Sequence, residues 1–528
     1  MKVIRKIPFS EIESIPQFIR DFLEQKHENF NTEIFSLENF RNKIQAKKEV
    51  FTETQRQVLV EVLRAQMNGL ALSSLQNSNI DKLSENSSFT VTTGHQLNLF
   101  SGPVFFIYKI LQTVKTAHYL KQHFPQQNFV PLFWMATEDH DFEEINHFKT
   151  QNGFYETAAL SGGAVGRIKL TDLSFIKEFE KEFRDHVFGT ELVLMMKEAY
   201  SGNKTLAEAT RILVNRLFGE YGLLILDGDD SRLKEQMKEV FREELVGSAL
   251  QHQTESVVEK IREEYGKVQV NPREINLFYL SETRNRIDRI SESFQIDGTE
   301  QKFTQQEILQ ELQRNPGKFS PNALMRPVFQ ERILPNIAYI GGNAEIMYWL
   351  ELKDYFLHLG IPFPVLIPRN SMLFVTEKNL KKISKAGLEI SDFFRNFSEL
   401  TSGKLISGNK IHELLNEKEE LLKTQFEELK ESASETDITF GNLVEAEKTR
   451  QLKSFNRMQK RLLRAERIKQ REYLERLENL FHEIHPGKTW QERVWNFSVF
   501  YADHGKQWLE TCLKEMEVEK SEMIIVAD

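Results

Sequence analysis

Two short stretches concentrate side chains able to do chemistry: Gly94-His95-Gln96, closing the apolar run "FTVTTG", and Glu138-Asp139-His140-Asp141, closing "FVPLFWMAT". An unperturbed histidine titrates near pH 6.5, so His95 suits either a donor that stabilises negative charge on a phosphate or carboxylate, or a proton shuttle. Gly94 permits a tight turn. After Ser101-Gly102-Pro103 an apolar helix begins, and its free N–H groups would face an anion resting there. The acidic stretch reads two ways. As a helix it puts His140, Glu144 and His147 on one face, at ligand spacing for a transition metal; as a strand-end loop, Glu138 to Asp141 would hold an amine or Mg²⁺. The second reading is carried forward, with no protein-bound transition metal.

Both stretches end apolar runs of strand length, and three more runs do the same. "GLLILDG" leads into Asp227, Asp229 and Asp230, "IAYIGG" into Asn343 and Glu345, and "PFPVLIP" into Arg369-Asn370-Ser371. Helical periodicity fills segments at about 103–122, 204–220, 231–264 and 343–358. Strands alternating with helices predict an α/β fold with a Rossmann-like, mainly parallel sheet, whose strand C-termini share one edge and gather ligands in a crevice there. Asp229, Asp230 and Asn370 read as ordinary loop polarity. Segments 150–200 and 270–330 read as insertions that decorate the sheet, the second carrying a hairpin in "INLFYLSETRNRIDRISESFQID".

Residues 1–87 are polar and helical in pattern, without a strand signal, and are expected to cover one side of a core spanning 88–400. From Ile411 the texture changes. Ile411, Leu414, Leu415, Leu421, Leu422, Phe426 and Leu429 recur at three- and four-residue steps, and after "ASETDITFGN" a second run continues through Leu452, Met458, Leu462 and Ile468 to Phe481. Two long amphipathic helices with a short break predict an antiparallel coiled-coil hairpin over 401–485, with 486–528 returning to the core. The helices differ in sign: eight acidic residues against three lysines in 411–435, eleven Lys or Arg against five Glu in 445–476. Complementary flanks follow, and a second copy of the chain is the expected partner of such an arm.

The overall balance excludes other classes. A net charge of -9 argues against nucleic acid as a partner. One cysteine, Cys512, forbids an internal disulfide or a zinc site built on several thiolates and fits a cytoplasmic protein. The longest apolar stretch, around Pro103 to Leu111, is too short and interrupted to span a membrane. No G-x-G-x-x-G follows a strand, "SGGAVG" at 161–166 having the wrong spacing, and neither a P-loop nor a G-x-S-x-G elbow occurs.

"TTGHQLNLFSGPVFFIYK", "PLFWMATEDHDFEEINH", "FSPNALMRPVFQERILPNIAYIGGNAEIMYWLELKDYF", "PRNSM" and "QERVWNF" occur in the order seen in the bacillithiol biosynthesis cysteine-adding enzymes, and the chain resembles that family from about residue 1 to its C-terminus. One departure is visible: Gly342-Asn343-Ala344-Glu345 stands where the family more often has Gly-Pro-Gly-Glu. The resemblance implies a Rossmann-like core, a coiled-coil arm that makes a homodimer, and a ligase joining L-cysteine to the amine of glucosaminyl-malate in the last step of bacillithiol biosynthesis.

Forming an amide from a carboxylate in water is uphill, so the carboxylate must be activated, most simply with ATP, Mg²⁺ accompanying it. Such chemistry needs anion stabilisers. His95, Gly94, Gln96, the helix start after Gly102, Lys109, Arg326 and Arg369 are the candidates. It also needs a carboxylate to hold or deprotonate the amine, from Glu138, Asp139, Asp141 and Glu345, with His140 and Asn343 alongside. Tyr348 and Trp349 either stack on a sugar or base or belong to the core. Arg326 precedes Pro327 and is expected in extended chain. Arg493, Trp495 and Asn496 are candidates for nucleotide contact. Two rival readings use the same cleft: nucleotidyl or adenylyl transfer to another metabolite, and a coiled-coil scaffold that binds a regulatory nucleotide.

Overall fold

The computed structural model describes all residues except 160, 161 and 437, together with the side chains of 434–436. Ser161 of the glycine-rich run and Asp437 of the interhelical break therefore lie outside the described residues. The chain forms two compact units. The first takes Met1–Glu11, Ile15–Phe374 and Thr489–Asp528; the second takes Ile12–Ser14 and Val375–Lys488.

The first unit is built on five strands: β2 (Ser88–His95), β3 (Asn128–Met135), β6 (Leu224–Asp227), β12 (Asn336–Gly341) and β13 (Val365–Pro368). They are the five apolar runs of the sequence, paired in parallel in the order β13-β12-β2-β3-β6. Every residue of β2 but His95 is buried, as a parallel strand covered on both faces requires. Its threonines are satisfied inside the core: Thr90 and Thr92 donate to Asn336 Oδ1 at 3.1 and 2.8 Å. The strand order reverses direction between β2 and β12. In such a sheet the crevice opens at that switch point, beyond the strand C-termini.

Two insertions leave the sheet. The first holds a small hairpin of β4 (His147–Lys149) and β5 (Phe154–Glu156), with the helices Ser174–Phe183 and Gly189–Tyr200. The second forms a separate sheet of β7 (Leu277–Leu280), β8 (Arg284–Ile290), β9 (Ser293–Ile296), β10 (Lys302–Thr304) and β11 (Phe319–Pro321), ordered β10-β9-β8-β7-β11 with antiparallel pairing.

The N-terminal segment differs from its helical expectation. β1 (Lys2–Pro8) pairs antiparallel with β15 (Glu522–Ala527), from Lys2 opposite Ala527 to Pro8 opposite Glu522, and β14 (Ser371–Val375) flanks β15. β1 carries Lys2, Arg5 and Lys6 on an edge, which masks it in the sequence, whereas β15 is buried almost throughout.

The second unit begins at Val375 rather than near 401, because the helices Glu377–Lys385 and Phe397–Ile406 fold with it. Its long helices, Lys410–Thr436 and Ile438–Lys469, run antiparallel. Asn409 meets Glu466 at 3.1 Å, Glu419 meets Gln459 at 2.9 Å, and Lys430 meets Glu445 at 2.8 Å. Lys448 to Glu427 follows the sign complementarity of the helices, while Lys430 to Glu445 runs against it. Leu415, Leu422 and Phe426 face the partner helix. Ile411, Leu414, Leu421 and Leu429 point away and are each about half exposed, so the first helix carries two apolar stripes and only one is covered.

Candidate active site

The first unit contains a cavity of about 650 Å³ at the switch point, and its floor combines the ends of β2, β3 and β12: Gly94-His95-Gln96, Thr137-Glu138-Asp139 and Gly342 to Glu345. The His95 turn and the acidic stretch thus open into one space. A Cβ on Gly94 would sit 3.3 Å from the Tyr339 hydroxyl and 3.4 Å from Arg326 Nη1, which accounts for glycine there.

His95 stacks on Phe106, with ring centroids 4.9 Å apart, and meets the edge of Phe105. Burial pushes its imidazole down to about 3, with the charges of Lys109 and Arg369 adding to the effect. The ring is neutral at physiological pH, so the expected shuttle near pH 6.5 is replaced by a neutral hydrogen-bonding group. Its Nε2 is buried and has no hydrogen-bond partner among the described residues.

The helix behind the turn, Phe105–His123, does not offer the open N-terminus read from the sequence. Val104 N–H donates to the Trp495 carbonyl at 2.8 Å, and the N–H groups of Phe106 and Ile107 return to Pro103 and Val104. Gly102, at φ 60°, turns the chain outside the cavity lining. Asn496 is fully buried and donates to the carbonyls of Phe100 and Gly102 at 2.8 and 2.7 Å. It pins this turn and, like Trp495, does not line the cavity; of the expected nucleotide trio only Arg493 does.

Lys109 is a strut rather than an exposed anion stabiliser. It is 1% exposed, donates to the Gly94 carbonyl, and holds Glu345 Oε2 at 2.7 Å. Burial alone would raise the Glu345 carboxyl, but the Lys109 ammonium and hydrogen bonds from Lys109, Tyr339 and the Gly342 N–H bring it down to about 2. A carboxylate that acidic is too weak a base to deprotonate an amine, so Glu345 organises the floor instead. The Gly342-Asn343-Ala344-Glu345 turn needs no further glycine: Gly342 N-caps the helix Asn343–Glu351 at φ -73°, and its N–H donates to Glu345 Oε2 at 2.7 Å.

Arg369 is likewise neutralised. Its guanidinium grips Glu492 through two bonds of 2.6 and 3.0 Å, with both side chains buried, and Ser371 donates to the same carboxylate. Arg326 is not in extended chain: it lies in the first turn of the helix Met325–Ile333, where Pro327 is tolerated because first-turn N–H groups lack intrahelical partners. It bonds Gln330 at 3.0 Å and lies over the rings of Tyr339 and Trp349, with no carboxylate among the described residues in direct contact and the nearby Glu345 charge supporting its own. Trp349 is fully buried and stacks on Tyr339, while Tyr348 and Asn343 line the cavity.

On the acidic side, Glu138 pairs with the buried Lys234 at 2.5 Å, and Lys234 also holds Asp229 at 3.0 Å. Asp139 accepts a 2.8 Å bond from Gln96, which ties the two turns together. Asp141 lies outside the cavity and N-caps the one-turn helix Phe142–Ile145. Because that helix is so short and His147 belongs to β4, the metal-binding face does not form. No cluster of three or more His, Cys, Asp or Glu fit for a metal occurs among the described residues. His140 also sits outside the lining, its Nδ1 accepting a 3.1 Å bond from Arg284.

The other wall comes from the inserted sheet. Arg273, Arg284, Arg286 and Asp288 line the cavity, none of them singled out from the sequence. The signal was available: R-x-R-x-D on β8 places three charges on one face while Ile287 is buried on the other.

Residues 3–370 match the family model described as bacillithiol biosynthesis BshC, N-terminal Rossmann-like domain, and residues 372–527 match bacillithiol biosynthesis BshC, C-terminal coiled-coil domain. Among similar proteins, one named "Putative cysteine ligase BshC" from Flavobacterium johnsoniae is 39% identical over 505 residues, covering 95% of each chain. Its namesake from Christiangramia forsetii is 38% identical over 520 residues, covering 97% of this chain and 96% of its own. The one from Chlorobaculum tepidum is 28% identical over 509 residues, covering 90% and 89%.

Proposed function

Because the chain belongs to the bacillithiol biosynthesis BshC family, we propose that it is a ligase that joins the carboxyl of L-cysteine to the amine of glucosaminyl-malate, completing bacillithiol. The observation that carries this reading is a buried His95 Nε2, without a hydrogen-bond partner among the described residues, in a cavity at the sheet's switch point that Arg326 and Arg493 also line. A neutral imidazole and two guanidiniums suit developing negative charge on an activated carboxyl. ATP is the co-substrate in this reading and supplies the activation. No preassembled metal cluster stands among the described residues, so Mg²⁺ enters here as a companion of the nucleotide phosphates.

Within this scheme His95 donates a hydrogen bond to a phosphoryl or carboxyl oxygen, Arg326 and Arg493 balance its charge, and Asp139, oriented by Gln96, accepts from the incoming amine. Glu138 is held by Lys234 and sets the shape of that side. The uncovered stripe of Ile411, Leu414, Leu421 and Leu429 favours pairing with a second copy of the arm. No helix among the described residues is long and apolar enough to cross a membrane, and the proposed place of action is the cytoplasm, where L-cysteine is kept reduced.

Thiol profiling of a deletion strain tests the reading. Loss of bacillithiol with accumulation of glucosaminyl-malate, reversed by the wild-type chain but not by His95→Ala, is the expected result. Unchanged bacillithiol would overturn it.

A further inference from the structure

Two arginines on the inserted-sheet side of the cavity, like Arg326 and Arg493 on the parallel-sheet side, have no carboxylate partner among the described residues, and Asp288 is the acid that shares their side. Lys109, Lys234 and Arg369 are each locked onto a carboxylate. Arg284 is engaged three times over, donating to Ser320 at 2.9 Å, the Pro321 carbonyl at 2.8 Å and His140 at 3.1 Å, with its guanidinium 3.9 Å above the Phe278 ring. Arg286, two residues along the same face of β8, and Arg273, on the segment leading into β7, line the cavity as exposed residues, and their side chains make no hydrogen bond or ion pair with the described residues. Glu274, the acid next to Arg273, bonds Arg289 on the opposite face of β8 at 3.0 Å.

We propose that Arg286 and Arg273 form a carboxylate clamp that selects the acceptor substrate by its dicarboxylate group. The proposal rests on the ligase reading above and adds to it the residues that read one substrate. A planar guanidinium fork matches a carboxylate through two parallel hydrogen bonds, and two such forks balance a dicarboxylate in charge. The anion developed during activation already has its own groups, His95, Arg326 and Arg493, on the edge of the parallel sheet. A second cationic group, in the insertion rather than at the parallel sheet, calls for a second anion. Of the two substrates joined in an amide, the malate-bearing amine is the one whose charge lies away from the reacting atom. Arg284, fixed on Phe278, holds β8 in place so that Arg286 is presented rather than collapsed onto the wall.

The experiment measures calorimetric binding to the full-length protein of four probes: L-malate, glucosaminyl-malate, methyl glucosaminide and ATP. Arg286→Gln and Arg273→Gln are each expected to weaken both malate-bearing probes roughly tenfold, leaving methyl glucosaminide and ATP unchanged. Lys302→Gln removes a charge from the same inserted sheet outside the cavity and is expected to change none of them. Wild-type affinity for L-malate in both Gln variants, no L-malate binding by the wild type, or a loss that falls on ATP instead would overturn the clamp. Failure of the ligase reading looks different: a wild-type chain that binds L-malate through these arginines yet forms no amide from cysteine and glucosaminyl-malate retains the clamp and loses the reaction.

Discussion

The two walls of the cavity handle charge in opposite ways. On the parallel-sheet side the ion pairs Lys109–Glu345 and Arg369–Glu492 sit inside the protein with short, multiple hydrogen bonds. In the insertion, Arg273 just before β7 and Arg286 on β8 are exposed, and their side chains are unpaired among the described residues. Buried pairs fix geometry before substrate arrives, at the cost of being intolerant of change. Unpaired, solvated arginines contribute nothing to folding and keep their hydrogen-bonding capacity for a ligand. In the proposed function one wall is therefore the rigid frame, and the other the place where substrate preference can drift.

The sharpest way to break this contrast is Arg369→Ala. It leaves Glu492 as a lone buried anion and is expected to destabilise the first unit by about 3–5 kcal/mol, read from denaturant unfolding. A loss under 1 kcal/mol would mean the wall is not a frame. His95→Ala comes next: kcat for amide formation is expected to fall roughly 100-fold while the urea midpoint moves far less than in Arg369→Ala.

The pH dependence of stability gives a finer comparison. His95 takes a proton near pH 6.5 in the unfolded chain and only at about 3 in the folded one, because burial disfavours its charge. Between those values the unfolded state binds more protons, so this contribution is complete above about pH 6.5 and is lost as pH falls. Wild type is expected to lose stability faster than His95→Asn across that window, by at most about 1.4 kcal/mol per pH unit. Parallel curves would show that the ring is not desolvated. The smallest effect belongs to the other wall: Arg286→Gln should leave stability within about 0.5 kcal/mol of wild type, by thermal or chemical melts.

What was legible in the sequence tracks the same physics. The five central strands were readable because parallel strands buried on both faces appear as apolar runs that stop at a glycine or a charge, and their ends led directly to His95, Glu138, Asp139 and Glu345. The helix pair of the second unit was readable from periodicity. β1 was not, since an edge strand carrying lysines and an arginine resembles a polar helix and its partner lies at the far end of the chain. Arg326 was misplaced by a rule about residues before proline that yields at the first turn of a helix. Asn496 and Trp495 have side-chain types that suit a nucleotide, whereas Asn496 bonds the Gly102 turn and the Trp495 carbonyl accepts from Val104 just after it. The clamp arginines are not legible because β7 to β11 read as decoration, and residue type alone does not reveal which face of a hairpin looks into a cleft.

The Arg369–Glu492 pair also bears on how the chain is made. Arg369 closes β13, but its counter-charge emerges from the ribosome only after the whole helical hairpin has been synthesised. Until then a guanidinium destined for a dry interior has no anion to meet, and the end of β13 must stay hydrated. The reaction chamber is thus among the last parts of the molecule to set during translation, and a chain released before Glu492 would carry five good strands around a wet, unfinished floor.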